Sequence, residues 1–120
     1  MRTEAQYLWD IVEAADAIDR FMGERSLDQF IRDDMARSAV HVKLIIIGEA
    51  VSRLSPALTD KYPSIPWHKI RGFRNAVIHG YFKIDWDIVW AAATQDAHDL
   101  RAVATEMLRQ EFPQFRPERS

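Results

Sequence analysis

Apolar residues recur every three or four positions along the first segment of the chain, which is the spacing of a helix with one buried face. Thr3 and Gln6 are spaced as a capping box, in which each side chain binds the other residue's backbone N–H, and Gly23 is a typical helix end. We therefore predict a helix between these limits. Its core-facing residues would be Ala5, Leu8, Ile11, Val12, Ala15, Ile18 and Met22.

The next helical region begins at a second capping box, formed by Ser26 and Gln29. It continues, with or without a kink, as one long helix that ends near Leu54. Apolar residues cover more than one face of this helix, so it is either the central helix of a bundle or also part of a dimer surface. Gly48 lies in its middle and costs about 1 kcal/mol relative to alanine. We therefore expect another part of the chain to approach the helix closely at Gly48.

Three prolines after Ser55 rule out a continuous helix as far as Pro66. A further helix is predicted to begin at Pro66, whose missing N–H would have no helical partner there, and to end at Gly80. Asp85 then caps a final helix, and prolines mark a polar, frayed tail over residues 111–120. The pattern predicts an all-α fold, an antiparallel bundle of four to five helices.

Length and composition narrow the class of protein. A chain of 120 residues, 48% of them apolar, is expected to form one helical domain over residues 1–120. It has no cysteine for a disulfide or a thiolate metal site, and no apolar run reaches the roughly 20 residues of a membrane span. We therefore expect no metal and no membrane contact. The start of the chain lacks the form of a secretion signal, so we also expect a cytoplasmic protein. Because the net charge is −2, any nucleic acid would have to bind at a local basic patch.

The predicted helix from Pro66 to Gly80 separates apolar residues from polar ones. With about 100° per residue, Ile70 and Phe73 fall on a side that can pack against the core. The opposite arc carries Arg71, Arg74, Asn75 and His79, and Tyr81 follows the end of the helix.

This polar arc has the groups needed to cleave a phosphodiester without a metal ion. Arg74 offers a planar set of donors that suits a phosphate, and Arg71 would add a second, substrate-binding cation. His79 would move a proton on or off the 2′-hydroxyl or the leaving oxygen while Arg74 stabilises the charge on phosphorus. Asn75 would orient the imidazole or donate to an oxyanion. The alternative is an ordinary solvated helix face, on which His79 merely caps the helix end.

Glu49 is a carboxylate within the apolar stretch of the long helix. Because an unpaired buried carboxylate is costly, either Arg74 or Arg71 pairs with it and is supported by it, or its side chain reaches solvent. His41 and His68 lack the spacing of metal ligands, and we predict that they are surface or hydrogen-bonded structural residues.

The motif Arg74-x4-His79-x-Tyr81, with Asn75 directly after the arginine, resembles the signature of the HepT-like family of HEPN domains. The segment Ile47-Gly48-Glu49-Ala50 also resembles the family's long second helix, and the similarity extends over nearly the whole chain. A bare Arg-x4-His pattern is weak, but the full string together with the upstream segment is much more specific.

The resemblance implies a HEPN-like homodimer with the two Arg74–His79 motifs near the subunit interface. It also implies a metal-independent endoribonuclease that needs no cofactor and acts as the toxin of a toxin–antitoxin pair. The antitoxin partner would be a minimal nucleotidyltransferase that inhibits the toxin by AMPylation of Tyr81. An adenylate next to the cleft would bring bulk and negative charge and would keep RNA phosphate away from Arg74.

Two other classes of function stay open at this point. One is a non-catalytic HEPN module that binds nucleotide or RNA, or that serves as the partner subunit of a nucleotidyltransferase, because a fold does not dictate a function. The other is a purely structural helical dimer, in which Arg74→Ala and His79→Ala would change nothing but stability.

Overall fold

The computed structural model of the protein describes residues 2–74 and 84–117. All regular secondary structure in these residues is helical, which confirms the predicted all-α fold. The helices are α1 (Glu4–Met22), α2 (Leu27–Arg32), α3 (Asp34–Ser52), α4 (Pro56–Thr59), α5 (Trp67–Arg71), α6 (Trp86–Ala91) and α7 (Ala97–Glu111). A 3₁₀ turn, Gly72–Arg74, follows α5, and a π-helical segment, Ala92–Asp96, joins α6 to α7.

The core lies between the three long helices, with α1 packed against both α3 and α7. The capping box predicted at the start of α1 is present, since Thr3 Oγ1 accepts the Gln6 N–H at 3.3 Å and Gln6 Oε1 accepts the Thr3 N–H at 2.7 Å. At the other end, Gly23 has a φ of 53°, which glycine adopts without a steric penalty. The fully buried side chains of this core include Leu8, Ile11, Ile18, Val40, Ile47, Val51, Leu100 and Met107.

The long helical region splits at Asp33, so the kink that the sequence left open is present. Asp33 has an extended backbone, and its carboxylate accepts the N–H of Ala36 at 3.0 Å, which caps α3. The bond from Ala36 lowers the pKa of Asp33, and Arg25, which binds the same carboxylate at 3.1 Å, adds to this effect. The break therefore has a local cause, because α3 needs a capping residue where α2 would otherwise continue.

Two faces of α3 have opposite environments. The inner face packs in the core through Ala36, Val40, Leu44, Ile47 and Val51. The outer face carries three exposed apolar side chains at helical spacing, and we call them the outer stripe. They are Met35, which is 82% exposed, Val42, which is 51% exposed, and Ile46, which is 38% exposed.

The segment between α3 and α5 is hydrogen-bonded to the first residue of α1. Ser55 caps the short helix α4, and its backbone N–H donates to the Glu4 carboxylate at the beginning of α1. The end of α3 and the beginning of α1 are therefore neighbours, which makes these two helices antiparallel, as predicted. None of the helices in the described parts of the chain is long and apolar enough to cross a membrane.

The final helical region differs from the predicted regular helix by its π-helical segment. Asp85 caps α6 as expected, through a bond from the Asp87 N–H to its carboxylate at 2.9 Å. Further along, the Thr94 hydroxyl donates to the carbonyl of Trp90 at 2.8 Å, and such a bond competes with the regular helical ladder. The change of helix type thus coincides with a side chain that binds its own backbone.

His41 packs beside α6. It is buried, and its ring lies edge-on to Trp86 with 5.8 Å between the ring centroids. Burial lowers the pKa of His41, because the charged imidazolium would lose its hydration. The structure thus makes His41 a structural residue of the core and leaves His68 exposed.

Candidate active site

The helix α5 carries the start of the predicted motif and is anchored on two sides. Trp67 and Ile70 are buried, and the Trp67 indole N–H donates to the carbonyl of Tyr62 at 2.9 Å. On its outer side, Lys69 pairs with Asp96 of the π-helical segment at 3.0 Å. These contacts fix the position of the turn that follows α5.

The predicted helix from Pro66 to Gly80 is described only in its first half. Pro66 stands one residue before α5 rather than inside it, and after Arg71 the chain tightens into the 3₁₀ turn that ends at Arg74. Asn75, His79 and Tyr81 lie outside the described residues. Their roles, and the convergence of Arg74 and His79 on one phosphate, stay predictions.

The close approach expected at Gly48 is present, and its neighbour is the 3₁₀ turn. A Cβ atom built on Gly48 would lie 2.8 Å from the backbone nitrogen of Arg74 and 3.3 Å from the Cβ of Phe73. It would also lie 3.2 Å from the carbonyl oxygen of Ile70. The backbone that carries Arg74 therefore packs directly on the middle of α3.

Arg74 binds two residues of α3 that follow Gly48. Its Nη1 donates to Glu49 Oε2 at 3.3 Å and to Ser52 Oγ at 3.2 Å. The Ser52 hydroxyl in turn donates to the carbonyl of Glu49 at 2.6 Å. The Arg74 side chain is nevertheless 44% exposed. The guanidinium is thus held in place and still open to a ligand from solvent.

The carboxylate of Glu49 is shared by two arginines. Its Oε1 accepts Nε and Nη2 of Arg53 at 3.3 and 3.1 Å, while its Oε2 accepts Arg74. Glu49 therefore pairs with Arg74, which is one of the partners that the sequence suggested, and at 46% exposure it also reaches solvent. Two guanidinium groups against one carboxylate leave a local excess of positive charge, which a phosphate could neutralise.

Sequence reasoning missed Ser52 and Arg53 at this site. The available signal was their spacing, because residues three and four positions after Glu49 lie beside it on a helix. Arg71, predicted as a substrate-binding cation, is partly buried and forms no ion pair with the rest of the described chain. In residues 2–74 and 84–117, no three His, Cys, Asp or Glu side chains are arranged to hold a metal ion.

Comparison with known proteins shows which family the chain belongs to. The model of the ribonuclease HepT-like family matches residues 11–107. A Thermococcus cleftensis protein with the provisional name ribonuclease HepT is 33% identical over 100 residues, which cover 83% of this chain and 91% of that protein. A Methanocaldococcus jannaschii protein, provisionally named an RNase, is 35% identical over 95 residues, or 79% of this chain and 87% of the relative.

A third relative, from Caldanaerobacter subterraneus subsp. tengcongensis, also carries a provisional RNase name and covers almost the whole of both chains. It is 30% identical over 111 residues, which are 92% of this chain and 99% of that protein. No solved structure gives a significant match. The family match spans α3, α5 and the turn that carries Arg74. With its all-α fold, the chain therefore belongs to the ribonuclease HepT-like family.

Proposed function

We propose that the protein is a metal-independent endoribonuclease that uses Arg74, Asn75 and His79. One observation supports this function above the others: the Arg74 guanidinium is held by Glu49 and Ser52 while the side chain stays 44% exposed. A group that must meet a phosphate needs both a defined position and an open side.

In the proposed reaction the 2′-oxygen of the substrate attacks the adjacent phosphorus, and the bond to the 5′-oxygen breaks. His79 would accept the proton of the 2′-hydroxyl or supply one to the leaving oxygen. Arg74 would donate hydrogen bonds to the phosphate oxygens, on which negative charge builds up. The products would be a 2′,3′-cyclic phosphate and a free 5′-hydroxyl, and the substrate would be RNA in the cytoplasm.

The test is cleavage of a labelled RNA by purified protein in the presence of EDTA. The wild-type protein should cleave, and His79→Ala should lose the activity while its circular dichroism spectrum stays helical. A substrate with a single 2′-deoxy nucleotide at the cleaved position should resist. RNA binding without cleavage by the wild type would instead favour the non-catalytic module, and cleavage that EDTA abolishes would contradict a metal-independent reaction.

We also propose that the protein is the toxin of a toxin–antitoxin pair and that a minimal nucleotidyltransferase inhibits it by AMPylation of Tyr81. The physical basis is that Tyr81 lies seven residues after Arg74 in the same motif, so an added adenylate would compete with RNA for the cation. Tyr81→Phe should cleave RNA as the wild type does and should take up no label from ATP in the presence of the partner. An inactive Tyr81→Phe variant would mean that the phenol has a role in cleavage itself.

The proposed homodimer would pack through the outer stripe of α3. Met35, Val42 and Ile46 expose apolar side chains on one face, and Glu49 and Arg53 continue that face at the same spacing. Two copies related by a twofold axis could cover each other's stripe and remove this apolar surface from water. The charged end of each stripe, which holds Arg74, would then border the interface.

A further inference from the structure

We propose that Gly48 is a positioning residue for Arg74, and that the absence of a side chain at this position sets where the guanidinium stands. The inference rests on the proposed function, because it concerns the arginine that would contact RNA. It adds a requirement to the site that the charged residues alone do not explain.

The backbone conformation of Gly48 gives no reason for a glycine. Gly48 lies inside α3, and among the described residues only Gly23 has a positive φ. Every L-residue except proline can adopt the helical conformation of position 48, and all of these favour a helix more than glycine does. The reason must therefore be space.

The space at Gly48 is filled by atoms that cannot rotate away. The three nearest contacts of an added Cβ are the Arg74 nitrogen at 2.8 Å, the Ile70 oxygen at 3.2 Å and the Phe73 Cβ at 3.3 Å. None of them is the far end of a flexible side chain, so a methyl group at position 48 would have to displace backbone.

The 3₁₀ turn is the part that must give way. Ile70 is 1% exposed, and Trp67 and Lys69 also anchor α5, whereas the turn after it is partly exposed. Moving the turn away from α3 carries Arg74 away from Glu49 and Ser52, the residues that bind its Nη1 at 3.3 and 3.2 Å. A change at Gly48 would thus reach the guanidinium through the backbone.

Gly72, in the same turn, offers a matched control. An added Cβ at Gly72 would meet no other atom within 4 Å, and its φ of −68° suits any residue. Gly48→Ala and Gly72→Ala introduce the same methyl group, the first close to Arg74 in space and the second two residues before it in the chain, but only the first creates a clash.

The experiment compares RNA cleavage in EDTA by the wild type and by Gly48→Ala, Gly72→Ala, Arg74→Ala and the Gly48→Ala/Arg74→Ala double variant. Gly48→Ala should lower kcat by about 10- to 100-fold, the size expected for a displaced catalytic group, with a smaller change in KM. Gly72→Ala should cleave as the wild type does. The double variant should equal Arg74→Ala, because Gly48 acts only through that arginine.

Cleavage by Gly48→Ala at the wild-type rate would overturn the inference. It would also be overturned if Gly48→Ala lowered cleavage by the same factor in the wild type and in the Arg74→Ala background. Should Gly48→Ala fail to fold, Ser52→Ala takes its place, because it removes one of the hydrogen bonds that hold the same guanidinium against α3 and should also have no effect in the Arg74→Ala background. If the wild type binds RNA without cleaving it, the proposed reaction fails, and the same variants are compared by RNA affinity with the same expected pattern.

Thermal melting adds a readout that needs no activity. Helix propensity alone would make Gly48→Ala more stable than the wild type. The clash predicts the opposite sign, a melting temperature lower by about 3 °C or more, while Gly72→Ala should not be destabilised. A more stable Gly48→Ala variant would contradict the close packing of the turn on α3.

Discussion

The two halves of α3 share one inner face and differ in what packs on their flank. In the first half, Arg37 lies over the ring of Trp86, with 5.0 Å from its guanidinium carbon to the ring centroid, and His41 meets the same ring edge-on. In the second half, Gly48 and Ser52 meet the turn that carries Arg74. The flank of the first half is thus an aromatic packing surface. The flank of the second half binds an arginine through polar groups.

The two arginines at these flanks differ in how far their side chains are exposed to solvent. The side chain of Arg37 is 23% exposed and that of Arg74 is 44% exposed. Arg37 covers an aromatic ring, which stabilises the bundle. Arg74 instead keeps donors near solvent although it is held by two hydrogen bonds. The difference indicates that the beginning of α3 carries an arginine that packs in the bundle, while its end supports an arginine of the 3₁₀ turn that stays open to solvent.

Replacing each arginine by alanine should give opposite phenotypes, and this is the largest effect we expect. Arg74→Ala should lower kcat for RNA cleavage by about 100- to 1,000-fold, the loss typical of removing one group that stabilises transition-state charge. Its stability should change by less than about 1 kcal/mol, because exposed ion pairs contribute little. Arg37→Ala should cleave normally and lose about 1 kcal/mol of stability. Initial rates and urea unfolding measure the two effects, and a loss of cleavage in Arg37→Ala would remove the distinction between the flanks.

The outer stripe runs along both halves of α3 and gives the next prediction. Val42→Glu should weaken the proposed homodimer by about 100-fold or more, because an unpaired carboxylate at the proposed interface would cost several kcal/mol. Sedimentation equilibrium of the variant and of Ala102→Glu, an exposed position on α7, would measure this. Equal dimer affinity for Val42→Glu and the wild type would exclude the outer stripe as the interface.

A smaller effect is expected for the carboxylate that holds Arg74. Glu49→Gln should lower kcat about 10-fold, because the amide keeps one acceptor and loses the charge that fixes the guanidinium. Glu13→Gln, at an exposed position of α1, is the matched control and should have no effect on cleavage. Faster cleavage by Glu49→Gln would mean that the carboxylate competes with RNA for Arg74 rather than positioning it.

The smallest effect we expect is on the pH dependence of stability, through His41 on the flank of the first half of α3. Burial lowers the pKa of His41 below its ordinary value of 6.5, so the folded protein holds fewer protons than the unfolded chain once the pH falls below that value. The contribution of neutral His41 to the free energy of unfolding is fully present above about pH 6.5. It is lost as the pH drops through the lowered pKa of the folded state. The melting temperature should therefore fall more steeply between pH 7.5 and pH 5 for the wild type than for His41→Gln. His68→Gln, at an exposed position, should keep the wild-type slope.

Much of the fold could be predicted because its signals are local. The capping boxes at Thr3 and Ser26 and the prolines after Ser55 act over a few residues, and the structure has helix boundaries at each of them. Gly48 was informative for the same reason, since a glycine inside a helix is costly and calls for a neighbour. The identity of that neighbour was not predictable, because it depends on how α5 is anchored by distant residues.

The site was predicted less completely than the fold. The pairing of Glu49 with Arg74 could be anticipated from the cost of a carboxylate in an apolar stretch. Ser52 was indicated only by its spacing from Glu49, because a serine on a helix is ordinary until a donor faces it. The π-helical segment was also missed, since the apolar spacing of the final helical region does not reveal a change of helix type.

The central claim is that Arg74, held by α3, contacts the phosphate that is cleaved. The most direct measurement compares cleavage, in EDTA, of an RNA with one sulfur in place of a phosphate oxygen, as each separate diastereomer, by the wild type and by Arg74→Ala. The wild type should cleave one diastereomer more slowly than the unmodified RNA, and this slowing should disappear in Arg74→Ala. The same slowing in both proteins would contradict a contact between Arg74 and the scissile phosphate.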